Sequence, residues 1–241
     1  MLNEQDSEYN MGTHYSPPIV HDGLIFCVDI KNTKSHTSGT TVTDLGKGHD
    51  GTIRGSGATT SNGILELGNN TAYLDFRSNT SDYTHIGAWT IAAWVKRTGN
   101  FGSYTRVLGK QIGTGNNKCN YGVGMQSHKV GVIANDGSWK TVYDSGDNLV
   151  LNQWHHVVGM YNATGQYYRL YVDNSQRFST AITLNMTNAA SESGAAVQIG
   201  TNYRGTEKWI GDFGPVQVYN KALSAAEVSR NFNAHRNRFG V

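Results

Sequence analysis

Trp89-Thr90-Ile91-Ala92-Ala93-Trp94-Val95-Lys96 is the stretch on which the fold turns. Side chains of a strand point alternately to its two faces. Trp89, Ile91, Ala93 and Val95 therefore share one face, and Thr90, Ala92, Trp94 and Lys96 the other. The first set is wholly apolar, and the second carries Ala92 and Trp94. A strand that meets apolar material on both faces is central, with a packed layer over each side. Working outward, apolar runs of strand length recur at 24–30, 64–67, 72–76, 105–109, 121–125, 130–134, 154–161, 167–172, 178–183, 196–199 and 216–219. Gly, Asn and Asp punctuate them, as in Asn162-Ala163-Thr164-Gly165 and Val172-Asp173-Asn174-Ser175, which favours antiparallel hairpins over helical crossovers. Gly68-Asn69-Asn70 predicts a hairpin between 64–67 and 72–76. The pattern is that of an all-β sandwich of two antiparallel sheets.

One segment reads as a short helix at the C-terminal end. Ser224 can cap it, with Glu227 three residues on completing a capping box. Val228, Phe232 and His235 then form the inner stripe, leaving Glu227, Arg230, Asn233 and Asn237 on the wet side. Ahead of the sandwich, residues 1–22 are polar and aperiodic and run into Ser16-Pro17-Pro18, which reads as an extended arm. The division expected is an arm (1–22), one sandwich with its helix (23–235) and a basic tail (236–241).

Composition narrows the function. The 241 residues hold 29 Gly and only 3 Pro, and charged residues make up 16%, against roughly 25% in ordinary globular chains. A net charge of +2, with no basic cluster, argues against a nucleic-acid surface. No run approaches the roughly 20 apolar residues of a membrane-spanning helix. Glu4, Asp6 and Glu8, without an apolar stretch behind them, do not read as an export signal. Cys27 and Cys119 are too few for a disulfide framework or a four-cysteine zinc site. They leave two options, a single bridge between them or one buried thiol and one in a loop.

The chemistry of catalysis is not visible in the residues. Glycoside hydrolysis needs two carboxylates facing one sugar, yet Glu66, Glu192, Glu207 and Glu227 are isolated. Asp44/Asp50 and Asp144/Asp147 lie in turn sequence, where Asp serves as a cap. His155 and His156 are neighbours on a strand and point to opposite faces, so they read as sheet histidines and not as a metal pair. Leu45-Gly46-Lys47-Gly48-His49-Asp50-Gly51 is a turn, since it lacks the ending of a phosphate-binding loop. No catalytic residue, metal or cofactor is expected. Binding is a better prospect: Tyr104, Trp139, Tyr203 and Trp209 fall in loop-like sequence, where an aromatic face can stack on the apolar face of a sugar ring.

Several segments, taken in order, resemble the laminin-G-like domains of the concanavalin A-like lectin/glucanase superfamily. They are Gly23-Leu24-Ile25-Phe26-Cys27-Val28-Asp29; Asp44-Leu45-Gly46-Lys47-Gly48-His49-Asp50-Gly51-Thr52-Ile53; Trp89 to Lys96 with Gly87-Ala88 before it; Asn152-Gln153-Trp154-His155-His156-Val157; Arg169-Leu170-Tyr171-Val172-Asp173; and Val216 to Val228. The resemblance implies a jelly roll of two packed antiparallel sheets. It also implies a place where many relatives hold a structural calcium, through an acidic residue just before the last strand. The matching stretch here, Phe213-Gly214-Pro215-Val216, has no carboxylate at that place, and Asp212 and Asp29 are the nearest candidates. The hydrolase branch carries a Glu-x-Asp-x-x-Glu strand that this sequence lacks.

The ending from Tyr219 to Val241 is similar to those of laminin-G-like structural proteins of tailed phages. This resemblance implies a non-enzymatic virion protein, a head or tail accessory subunit displaying a lectin-like domain and located on the virion. Its partners would be other capsid or tail proteins, reached through the arm and through Arg236, Arg238 and Phe239 in the tail, with a homo-oligomer as one possible form. The alternative is a carbohydrate-binding lectin module or adhesin, with host-surface glycans as partners. Phe232→Ala should lower the melting temperature, whereas loss of residues 237–241 should leave stability nearly unchanged but weaken assembly.

Overall fold

The computed structural model describes residues 17–68, 71–76, 83, 87–100, 104–111, 119–147, 149–185, 196–202 and 205–241. Its first strands are β1 (Leu24–Val28), β2 (Thr41–Thr43), β3 (Asp50–Arg54), β4 (Ala58–Ser61), β5 (Ile64–Leu67) and β6 (Tyr73–Phe76). The middle of the chain supplies β7 (Trp89–Arg97), β8 (Tyr104–Gln111), β9 (Cys119–Gln126), β10 (Lys129–Asn135) and β11 (Trp139–Tyr143). Then follow β12 (Trp154–Asn162), β13 (Tyr167–Val172), β14 (Ser175–Ala181), β15 (Ala196–Ile199), β16 (Gly211–Tyr219) and the helix α1 (Ala225–Phe239).

Two sheets of eight strands pack face to face. The first has the order β14-β13-β12-β7-β16-β5-β4, with β1 also paired to β16; the second has the order β11-β10-β9-β8-β15-β6-β3-β2. Every pairing is antiparallel. As its sequence requires, β7 sits in the middle of the first sheet, between β12 and β16. Trp89, Ile91, Ala93 and Val95 enter the core between the sheets, where the Trp89 ring lies 5.4 Å from that of Tyr121.

The predicted hairpin at Gly68-Asn69-Asn70 does not form. β5 pairs with β4 and β16 in the first sheet, whereas β6 pairs with β3 and β15 in the second. Leu65 and Leu67 on β5, and Leu74 and Phe76 on β6, all point into the core. The chain crosses from one sheet to the other so that both apolar sets face inward, which a hairpin within one sheet would not require.

Helix α1 covers the outer face of the first sheet. The capping box is present: Ser224 Oγ accepts from the Glu227 amide, and the Glu227 carboxylate accepts from the Ser224 amide at 2.8 Å. Phe232 stacks over Trp94 at 5.6 Å between ring centroids, and Phe239 over the same indole at 4.6 Å. The basic tail expected from residue 236 is therefore a correction. Residues 236–239 are the last turn of the helix, ended by Gly240 in the left-handed conformation (φ 73°), whose amide bonds back to the Arg236 carbonyl.

The arm needs a correction at its inner end. Val20 is buried in the cluster formed by Ala92, Val158, Met160, Tyr171, Tyr219, Leu223 and Val228. Its amide donates to Asn231 Oδ1 at 2.8 Å, Asn231 Nδ2 donates to Tyr219 Oη at 2.9 Å, and that hydroxyl donates to the Val20 carbonyl at 3.2 Å. Residues 17–22 thus join the domain's own helix and sheet, since Val20 has an apolar seat and its backbone has partners. Residues 1–16 lie outside the described residues.

Candidate functional site

The outer face of the second sheet carries the candidate site. Cross-strand register places Arg106 on β8 opposite Gly124 on β9, Gly124 opposite Gly131 on β10, and Gly131 opposite Tyr143 on β11. Residues opposite one another share a face, so this row has long side chains at its two ends and none in its middle. A Cβ on Gly131 would stand 2.4 Å from Tyr143 Cδ1, and one on Gly124 3.2 Å from Arg106 Cδ. Glycine lets both side chains lie down onto the sheet.

The result is a groove of about 340 Å³ lined by Tyr104, Arg106, Gln126, Trp139, Thr141, Tyr143 and Glu207. Strand alternation places 139, 141 and 143 on the same side of β11, making one wall, and Tyr104 and Arg106 on β8 make the other. Trp139 is 48% exposed and Tyr104 45%, so both rings present a face to solvent. The Gln126 amide donates to the Tyr104 hydroxyl at 3.1 Å. Glu207 comes from the segment before β16 and is held by its own backbone. Its carbonyl accepts from the Arg106 amide at 3.1 Å and from the Thr105 hydroxyl at 3.5 Å.

At the base of the groove Arg106 Nη1 lies 2.7 Å from Glu207 Oε2, with side-chain exposures of 5% and 25%. It is a contact of charges without an aligned hydrogen bond, and Arg106 Nε is buried with no acceptor among the described residues. Both groups keep hydrogen-bonding capacity that the described residues do not use. Unused capacity at a buried polar atom costs about 1–3 kcal/mol, and a polar ligand in the groove would relieve it.

The sequence-predicted residues fare unevenly. Tyr104 and Trp139 come together in this one groove. Trp209 does not join them. It is fully buried, its amide bonded to the Gly200 carbonyl at 2.9 Å and its ring 5.5 Å from Phe213, so its loop-like sequence conceals a core residue. Tyr203 lies outside the described residues. Arg238 and Phe239, expected at an interface, turn inward. Arg238 Nη1 lies 2.8 Å and 3.0 Å from the two oxygens of Asp29, and Phe239 is wedged between Trp94 and Trp154. Only Arg236 of the three remains exposed. The groove residues that sequence reasoning missed are Arg106, Glu207, Gln126, Thr141 and Tyr143. All but Glu207, which precedes β16, alternate with inward-facing residues along strands, and only the register reveals that they converge.

The acidic and histidine candidates are engaged elsewhere. Asp212 pairs with Lys96 at 2.6 Å and Asp29 with Arg238. Gly214 stands where relatives were expected to place a carboxylate, and a Cβ there would be 2.4 Å from Phe239 Cζ. The place is filled by the helix. His155 Nδ1 contacts Asp173 at 2.7 Å while its Nε2 accepts from the Val150 amide at 3.0 Å, so both ring nitrogens are in use. Asp44 accepts from the amides of Cys27, Gly46 and Lys47 and from the Tyr83 hydroxyl, organising its turn. Cys27 is a free thiol, pushed up to about 12 by burial and then by Asp29 and Asp44. Among the described residues, no group of three or more His, Cys, Asp or Glu side chains could hold a metal ion.

Known structures share this architecture at low identity. The chain superposes on a Trypanosoma rangeli sialidase in complex with sialic acid with a TM-score of 0.67 and 13% identity, over 94% of this chain and 36% of that one. It therefore spans about a third of the sialidase. Domain 4 of AbnA, a GH43 extracellular arabinanase from Geobacillus stearothermophilus, in complex with arabinotriose, matches with a TM-score of 0.60 and 14% identity, over 88% and 98% of the two chains. The binding domain of Paraclostridial mosquitocidal protein 1 gives 0.65 and 16%, over 89% and 53%. These likenesses show the fold. No curated protein matches the sequence. The Laminin_G_3 family model, described as concanavalin A-like lectin/glucanases superfamily, matches residues 67–229. That match covers well over half of the chain, from the end of β5 into α1, and the chain belongs to this laminin-G-like family of the concanavalin A-like lectin/glucanases superfamily.

Proposed function

We propose that the chain is a carbohydrate-binding module that holds a glycan in the groove between β8 and β11 and does not cleave it. The observation that carries this reading is the pairing of two half-exposed aromatic rings, Tyr104 and Trp139, with a buried Arg106 and its partly exposed partner Glu207 between them. Aromatic faces take the apolar side of a sugar ring, and charged groups with free hydrogen-bonding capacity take its hydroxyls. The lectin-like fold, and a neighbour whose structure holds arabinotriose, support the choice of ligand. Non-catalytic binding accords with Glu207 being the single carboxylate among the described residues lining the groove, because hydrolysis draws on two.

The virion reading drew on the resemblance of the segment from Tyr219 to Val241, with the arm and tail as docking devices. Arg238 and Phe239 are engaged within the chain, and residues 17–22 pack on its own helix, so Arg236 and residues 1–16 are what is left of those docking devices. Titration calorimetry with linear arabino-, xylo- and cello-oligosaccharides tests the proposal. Binding by the native chain that weakens at least about tenfold, or roughly 1.4 kcal/mol, in Trp139→Ala supports it. No heat from any of them at millimolar concentration overturns it.

A further inference from the structure

We infer that the groove takes an internal run of an uncharged linear polysaccharide laid along the sheet, and not a chain end or a single sugar. This rests on the carbohydrate reading above and adds the ligand's form and charge.

The form follows from where the two rings sit. On β10 the row containing Tyr104 passes through Lys129, opposite Gln126, and the row containing Trp139 passes through Asn135. Six residues separate those rows, or roughly 20 Å along the strands. The rings also stand on strands three positions apart in the sheet, β8 and β11. One sugar cannot touch both, whereas several linked sugars crossing the sheet obliquely can. Gly124 and Gly131 between them add no side chain of their own, and Arg106, Ile133 and Tyr143 lie low over them, so the floor stays shallow. Both end rings are about half exposed, so neither closes the groove as a pocket for a terminus would be closed.

The charge follows from the pair at the base. Arg106 and Glu207 lie 2.7 Å apart and neutralise one another. An anionic sugar placed against Arg106 would also meet Glu207, and a cationic one against Glu207 would meet Arg106, so each loses on one side what it gains on the other. Hydroxyls, which both donate and accept, suit both groups.

The test is a length series. The probes are arabino-, xylo- and cello-oligosaccharides of one to six units, the same oligomers modified at each end, and an oligogalacturonate of matching length. For the neutral series that binds, Kd should fall at least about tenfold between one and four units and level off beyond, with end modification of the longer oligomers leaving it unchanged. Tyr104→Ala and Trp139→Ala, both at exposed positions, should each shorten the range over which added units improve binding. Glu207→Gln should raise the affinity for oligogalacturonate relative to the neutral oligomer. A monosaccharide that binds as tightly as the hexamer, or loss of binding on end modification, overturns the internal-run inference while glycan binding itself stands. Preference of the native chain for oligogalacturonate overturns the charge assignment. Silence from every probe overturns the carbohydrate reading, and this inference with it.

Discussion

Asn231 shows how one polar side chain can decide what the chain's first described segment does. Its amide group, on the buried side of α1, accepts from the Val20 amide and donates to Tyr219 Oη, and that hydroxyl returns a bond to the Val20 carbonyl. The three groups satisfy one another in a region where an unmet bond costs about 1–3 kcal/mol. Asn231→Leu keeps the branched outline of the side chain and removes both bonds, so urea denaturation should show a loss of about 1–3 kcal/mol, with faster proteolysis near Val20. Unchanged stability and unchanged cleavage would contradict the clamp. Gly214 is the second such residue. It sits where the register of β16 shifts against β7, and Phe239 lies so close that any Cβ would collide with it. Neither role is legible in the sequence. Asn231 interrupts the apolar stripe of its helix, and the partner of Gly214 is 25 residues further along the chain.

At the scale of the element, α1 was legible because its start is written locally: Ser224 and Glu227 are three residues apart, and Val228 and Phe232 follow on one side. Its end was not, because Arg236, Arg238 and Phe239 read as a basic and aromatic docking tail. The partners that draw the last turn down, Asp29, Trp94 and Trp154, lie on other strands and their connections. The outcome of trimming is accordingly reversed. Deleting residues 237–241 removes the Arg238–Asp29 pair and the Phe239 ring, and thermal melting should show a clear drop, comparable to the roughly 3 kcal/mol expected for Phe232→Ala; an unchanged melting temperature for both would refute the docking. The same interface makes stability depend on pH. Burial, and then the neighbouring His235, pushes His156 down to about 3, and burial also lowers His235 despite Asp29 nearby. Below about 6.5 the unfolded chain takes up protons that the folded chain refuses, so stability is full above that pH and falls as pH drops towards 3. Denaturation at pH 7.5 and pH 5 should differ by up to about 1.4 kcal/mol per pH unit below 6.5 for His156, and His156→Gln should flatten the slope. Equal stability at the two pH values would contradict it.

Over the whole molecule, two eight-stranded sheets divide the work. One buries its outer face under α1, and the other presents its outer face as the groove. The sandwich was legible because strands such as β7, β12 and β13 carry dense apolar alternation between strong turns. The short polar strands β2 and β4, Thr41–Thr43 and Ala58–Ser61, were not, since they pair at sheet edges and bury little. Two residues of the candidate groove were legible too: Tyr104 and Trp139 stand out as aromatics in polar surroundings, but so did Trp209, which is core. What separates them is the register of β8 to β11, and register depends on contacts that no local pattern states. The row from Arg106 through Gly124 and Gly131 to Tyr143 exists only once four strands are side by side. Amide chemical-shift mapping during titration with a neutral linear oligosaccharide tests this account most directly. The account predicts that shifts cluster on Tyr104, Arg106, Gln126, Gly131, Trp139 and Glu207 and leave α1 untouched; shifts confined to the helix side or to the opposite sheet, with the groove silent, would contradict it.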